Sequence, residues 1–405
     1  MPRTTMLLLA PALVASVLTL GACSAPPRNA VPADLVLEAH VPGLPGVRNV
    51  EHAASGPDTE RGWRDWLAEH PAAWNDARPV RFLAISGGGP NGAFGAGLLV
   101  GWTERGDRPD FQLVTGISTG ALTAPFAFLG PDYDHVLREV YTGISTADVL
   151  DDGGIVDALF HAIFGEAFAS TAPLEQLLER HVNDDVIEHI AREHRKGRRL
   201  LVGTTNLDLM RIVYWSIGDI AASEHPERGK IIRRVLLASA SIPGAFTPVV
   251  INVTAAGATY DELHVDGGVS TQLFAYPLDF DLGATLEEAG VSPDRAIYVI
   301  RNAQLDPPQK VVNRRALDIT RRSISSLIST QSHGDMYRVF LGAARDGFAF
   351  RLADIPEDFD RTPSELFDTA YMTELYELGR QMAARGFEWQ ETPPGFTPHT
   401  GPARR

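Results

Sequence analysis

The 405-residue chain has one cysteine, Cys23. Disulfides within the chain, cysteine-rich zinc sites and cysteine-ligated clusters are therefore excluded. Basic residues are in deficit. There are 36 Lys and Arg against 51 Asp and Glu, a formal charge of −15, and no Lys/Arg-rich run or basic helical stripe stands out. Nucleic acid is not an expected partner of so acidic a surface. No internal repeat or low-complexity tract is present, and no apolar run is long enough for a comfortable membrane span. What is there is an ordinary globular balance, 44% hydrophobic and 21% charged, with enough apolar side chain for a sizeable core. That balance excludes disordered, collagen-like and coiled-coil classes.

The first residues have the layout of a secretory signal. Arg3 precedes an apolar stretch from Leu7 to Leu20, which ends in Leu20-Gly21-Ala22-Cys23. This ending resembles the bacterial lipobox, in which the cysteine is lipidated and becomes the mature N-terminus. The expectation is a signal peptide over 1–22 and a lipid anchor at Cys23 that holds the protein to a membrane of the bacterial cell envelope. Ser24 after it is compatible with the outer membrane. Each buried acyl methylene adds roughly 0.8 kcal/mol to such binding, whereas the acidic surface is not drawn to anionic lipid. The plainer alternative is a conventional signal peptide with an incidental cysteine. Residues 23–79 then read as a proline-rich tether followed by a lead-in segment. In that segment Trp63, Trp66, Leu67 and Trp74 could pack on a core, and no chemistry is assigned to it. The tail over 393–405 is expected to fray.

From residue 80 the pattern becomes regular. Val80 to Ser86 reads as a buried strand, Ala93 to Arg105 as a helix, and Phe111 to Ile117 as a second strand followed by a small-residue helix. Helices are predicted over 173–182, 184–196 and 228–239, with strands over 199–206, 211–217, 262–265 and 296–301. Two long helical stretches cover about 311–345 and 366–385. Strands alternating with helices argue a parallel sheet covered by helices.

Three glycine motifs punctuate this pattern. Gly116-Ile117-Ser118-Thr119-Gly120 lies at a strand–helix junction, the layout of a nucleophile elbow. A nucleophilic serine must stand on a sharp turn, so the residues flanking it must be small, and the helix N-terminus beside it favours developing negative charge. Gly143-Ile144-Ser145-Thr146-Ala147 lacks the second glycine and the preceding strand, and reads as a helix cap. The run Gly87-Gly88-Gly89-Pro90-Asn91-Gly92 has three readings: a tight turn, a dinucleotide-binding loop, or an oxyanion hole. Asp-Gly-Gly occurs twice, at 152–154 and at 266–268. The second follows a short strand, where α/β sheets collect their sites. Asp266, Asp152 and the late His333 are thus the candidate bases for Ser118.

Gly-Gly-Gly-x-x-Gly at 87–92, Gly-x-Ser-x-Gly at 116–120 and Asp-Gly-Gly at 266–268 together resemble the patatin-like phospholipase family in order and spacing. The segment from Ala238 to Pro248 resembles the family's stretch upstream of the aspartate. The likeness covers 80–279, the expected catalytic domain. It continues more loosely over 280–392, expected as the C-terminal part of the same α/β unit, similar to bacterial members with a helical C-terminal extension. The resemblance implies a three-layer α/β/α sandwich with a mostly parallel sheet. It implies Ser118 as the nucleophile and acylated residue, and Asp266 as general base and proton relay without histidine. Gly87, Gly88 and Gly89 would be oxyanion donors, and Gly92, Gly116, Gly120, Gly267 and Gly268 the motif glycines. Neither metal nor cofactor is implied, and the substrate would be a lipid or other acyl ester, hydrolysed in the manner of a phospholipase A. The family often carries Arg or Lys before the last glycine of its first motif; here Asn91 stands there, which weakens the case for a phospholipid. Two rival readings are an α/β-hydrolase esterase with a Ser–Asp–His triad and a non-catalytic, lipid-binding envelope lipoprotein.

Overall fold

Side-chain alternation along the central strands decides which face each residue serves. In β2 (Val80–Ile85), Val80, Phe82 and Ala84 enter one apolar cluster, and Leu83 and Ile85 enter another. Both sets are buried, so the strand lies between two covered faces, as a parallel strand does. The computed structural model describes residues 28–51, 56–149, 171–243, 245–305, 309 and 311–396. Cys23 and the expected signal over 1–22, the Asp152 triplet and Gly244 lie outside the described residues.

Among the described residues nine strands form one sheet. Besides β2 they are β1 (Arg48–Val50), β3 (Leu113–Ile117), β4 (Arg199–Asn206), β5 (Arg211–Ser216), β6 (Val249–Ala255), β7 (Ala258–Asp266), β8 (Arg295–Arg301) and β9 (Ala349–Asp354). The main path runs β1-β5-β4-β3-β2-β8-β9; β4, β3, β2, β8 and β9 run parallel to one another along it, and β5 is antiparallel to β4 and β1. One face carries the helices Gly92–Arg105, Thr119–Leu129, Asp184–Arg195, Arg228–Ser239 and Thr369–Arg385. The other carries Gly56–Glu69, Leu282–Glu288 and Ala316–Arg345. This is the expected helix–sheet–helix sandwich.

The stretch from 280 to 392 holds two long helices and also the strands β8 and β9, which extend the same sheet past β2. The lead-in segment is part of the fold as well. Trp63, Leu67 and Trp74 are buried against β2, and β1 pairs with β5. Arg48 of β1 forms a buried ion pair with Glu262 of β7, its Nε donating to Glu262 Oε2 at 2.8 Å. Arg48 also donates to the carbonyls of Val36 and Ala39. The lead-in is thereby fastened to the strand that ends in Asp266.

Candidate active site

The register along β4 brings two distant residues together. On one edge of β4, β3 runs upward and ends at Ile117, opposite Gly203. The antiparallel β7 comes down the same edge and ends at Asp266, opposite the next residue, Thr204. The two strand ends therefore meet head to head. Ser118 and Asp266, 148 positions apart in sequence, face each other across the join, with Ser118 Oγ donating to Asp266 Oδ2 at 2.6 Å.

Ser118 sits on the sharp turn that its flanking glycines forecast. Its φ of 55° and ψ of −127° are sparsely populated for a residue with a side chain, a conformation that costs on the order of 1–3 kcal/mol. A methyl group on Gly120 would lie 2.3 Å from the carbonyl oxygen of Ile85, and one on Gly116 would lie 2.3 Å from that of Gly120. Only hydrogen fits where β2, β3 and the Thr119–Leu129 helix cross. A further hold is Ser239, at the end of the Arg228–Ser239 helix. Its hydroxyl accepts from the Ser118 N–H at 3.0 Å and donates to the Gly203 carbonyl at 2.7 Å. Nothing in the sequence singles out Ser239, because one serine in a small-residue segment carries no periodic signal.

Asp266 is 5% exposed and Ser118 4%. Oδ1 of Asp266 accepts from the Gly268 N–H at 2.7 Å, while Oδ2 faces Ser118. Burial pushes the carboxyl pKa up to about 6, against the opposing pull of the bonds from Ser118 and Gly268. Desolvation of the charged form outweighs two hydrogen bonds to it.

The glycine run follows β2 and turns beside the serine. Gly87 departs from expectation: its N–H donates to the Gln272 carbonyl at 3.2 Å and is not free to hold an oxyanion. Gln272 also donates through Nε2 to the Gly268 carbonyl at 2.9 Å, and its N–H donates to Asp335 at 2.7 Å. It thus ties the glycine loop to the Asp266 turn, and nothing in the sequence marked it. The N–H groups of Gly88 and Gly89 have no protein acceptor among the described residues. A Gly88 methyl would lie 2.4 Å from the Asn302 carbonyl oxygen. Asn302 is buried and holds the loop, donating through Nδ2 to the Ser86 carbonyl and accepting from the Gly95 N–H. Asn91 accepts at 2.7 Å from the Tyr371 hydroxyl.

A pocket of about 90 Å³ opens at this point, lined by Gly89, Ser118 and Thr119 and walled by Leu122, Phe126, Leu174, Phe246 and Met372 among others. His181 is the one basic side chain among its described lining residues. The ring of His333 is turned to the Ser329 carbonyl, at 2.8 Å, one turn back in its own helix. Neither histidine hydrogen-bonds Ser118 or Asp266. Among the described residues, no three His, Cys, Asp or Glu side chains converge as a metal site would require.

Residues 83–279, which carry the serine, the aspartate and most of the glycine run's surroundings, match the family model of the Patatin-like phospholipases. This stretch is a patatin-like phospholipase domain. Of solved structures, VipD from Legionella pneumophila aligns with the chain at a TM-score of 0.39 and 12% identity, over 76% of this chain and 66% of that one. Human GIVD cytosolic phospholipase A2, in complex with methyl gamma-linolenyl fluorophosphonate, aligns at a TM-score of 0.33 and 12% identity, over 80% and 62%. The chain spans less than two thirds of the length of either. No curated protein matches the sequence. The patatin-like domain comprises β2 to β7, with both strand ends that meet at β4.

Proposed function

We propose that the chain is a serine hydrolase of lipid acyl esters, of the phospholipase A or lipid acyl hydrolase type, working through a Ser118–Asp266 dyad. The observation that carries this reading is the buried 2.6 Å hydrogen bond from Ser118 Oγ to Asp266, at the head of an apolar pocket. Ser118 Oγ attacks the ester carbonyl as its proton passes to Asp266. The tetrahedral oxyanion is held by the N–H groups of Gly88 and Gly89, at the positive end of the Thr119–Leu129 helix. Preorganised donors of this kind contribute roughly 3–4 kcal/mol each. Asp266 then gives its proton to the departing alkoxide, which leaves as alcohol and an acyl-Ser118. Water gives a proton to Asp266 and attacks the acyl carbon; the bond from that carbon to Ser118 Oγ then breaks, Asp266 returns the proton to Ser118 Oγ, and the carboxylic acid departs. Every bond and proton is accounted for by the two side chains and water, and no metal or cofactor takes part.

A carboxylate near pKa 4 is a weak base towards an alcohol. One pushed up to about 6 by burial binds the proton more tightly and still ionises at neutral pH. With Asn91 in place of a basic residue and His181 as the one basic group among the described lining residues, no arginine or lysine among them is there to grip a phosphate. The reading therefore favours neutral esters at least as strongly as phospholipids. The anchor at Cys23 belongs to the same proposal: acyl chains there would hold the enzyme at the lipid surface of the bacterial envelope. Fatty-acid metabolic labelling tests it, since label persisting on a Cys23→Ser protein would defeat it. Product analysis on phospholipids, triglycerides and p-nitrophenyl esters tests the activity. Fatty acid should be released by the wild type and not by Ser118→Ala, and release by both would end the proposal.

A further inference from the structure

On the opposite face of the sheet a second and larger cavity, about 510 Å³, lies between β4 and β5, the helix Gly56–Glu69, the segment 271–279 and the helix Ala316–Arg345. Much of its wall is apolar, from Leu201, Leu273, Phe274 and Val339. Five charged side chains reach it. Arg338 pairs with Glu51 at 3.0 Å, Asp58 lies 3.5 Å from Arg61, and Asp279 accepts from the Thr59 hydroxyl at 3.3 Å. Arg199 is the exception. Its guanidinium lies 5.2 Å and 4.9 Å from the ring centres of Trp63 and Trp66, and it makes no side-chain hydrogen bond or ion pair among the described residues. Its Nε–H is shut off from water and has no acceptor. The nearby carboxylate of Asp219 is engaged by His194 and Ser216. The hydroxyl of Thr271, a buried residue on the same wall, is also without a partner among the described residues.

A cation without an acceptor at the wall of an apolar cavity is unfavourable unless something completes it. The volume falls in the range of roughly 300–1,000 Å³ typical of small-molecule sites. The planar fork of arginine matches a carboxylate. Glu51, Asp58 and Asp279 around the same space disfavour a doubly charged phosphate, and the apolar wall favours a hydrocarbon tail over a small polar acid. We infer that this cavity binds a fatty-acid-type carboxylate, its head group on Arg199 and the Thr271 hydroxyl and its chain along Leu201, Leu273, Phe274 and Val339. The site is separate from Ser118, and the inference stands whether or not Ser118 hydrolyses lipids.

The test is displacement of the fluorescent fatty acid cis-parinaric acid from the full chain. The displacing ligands are a saturated fatty acid, the alcohol of equal length and its phosphate monoester. In the wild type and in Ser118→Ala the acid should displace the probe about tenfold more effectively than the alcohol or the phosphate. Arg199→Met should erase that preference. Gly62→Phe offers a second route, because Gly62 lines the cavity and an added Cβ there meets nothing within 4 Å. It should weaken probe binding about tenfold or more while the protein still melts cooperatively and turns over a soluble ester. Equal displacement by acid and alcohol in the wild type would overturn the inference, and that comparison needs no variant. So would stronger displacement by the phosphate, or unchanged probe binding in folded Gly62→Phe, which would place the probe elsewhere.

Discussion

Asp266→Asn should separate catalysis from stability in opposite directions. The carboxyl's rise from the ordinary 3.8 to about 6 in the folded protein corresponds to about 3 kcal/mol held against the ionised form at neutral pH. The folded pKa lies above the unfolded one. The favourable contribution of the neutral group is therefore complete below about pH 4 and is lost as pH rises through about 6. Asparagine has no charge to bury and can keep both hydrogen bonds, its carbonyl oxygen on the Gly268 N–H and its amide on Ser118 Oγ. The variant should match the wild type in stability near pH 4 and exceed it by about 3 kcal/mol at pH 8. Its turnover of an ester should fall on the order of 10³–10⁴-fold, because the proton of Ser118 has nowhere to go. In the wild type, kcat/KM should climb with pH through about 6 and then level off. Urea denaturation at pH 4 and pH 8 and a p-nitrophenyl ester assay read all of this. A stability difference independent of pH, or wild-type turnover by a folded Asp266→Asn protein, would refute the reasoning.

Gly88→Ala sets a methyl group 2.4 Å from the Asn302 carbonyl oxygen, so the loop must shift. Turnover should drop on the order of 10²-fold, and undiminished activity in a folded variant would make the loop merely structural. Glu262→Ala strands the buried guanidinium of Arg48 and should cost about 3–5 kcal/mol in a denaturant titration; a loss under about 1 kcal/mol would mean that the pair behaves as if exposed. His333→Ala and His181→Ala should each keep most activity on a soluble ester. Loss of turnover in either, with Asp266→Asn still active, would identify a histidine triad.

Most of the parallel core was readable because its strands are apolar runs, those of β2 and β3 closed by glycine turns. β2, β4, β5 and β8 fall within a residue or so of the limits expected from periodicity alone. β7 extends further towards the N-terminus than its predicted 262–265, and its hairpin partner β6 was not anticipated. The two are joined at Ala256-Gly257, both with positive φ. Ala-Gly gives little of the signal that Asn-Gly gives for the same turn. β9 was passed over because six residues between two long helices carry too little alternation to stand out. At the site, the strand–turn–helix placement of Ser118 was legible from small residues alone. Its meeting with Asp266 was legible only through the family resemblance, because it depends on two strands sharing one edge of β4, and no spacing within either motif encodes it. Gln272 escaped for a related reason. Its backbone carbonyl takes the Gly87 N–H, and a backbone contact leaves no trace in residue type.

The central claim is that Ser118 is the nucleophile, activated by Asp266. The most direct measurement is peptide-mapped mass spectrometry of the protein after exposure to an alkyl fluorophosphonate, with residual ester turnover followed in the same samples. The account predicts one adduct, on Ser118, appearing in step with the loss of turnover and forming far more slowly in Asp266→Asn. An adduct on another residue, or full turnover by protein already modified at Ser118, would contradict it.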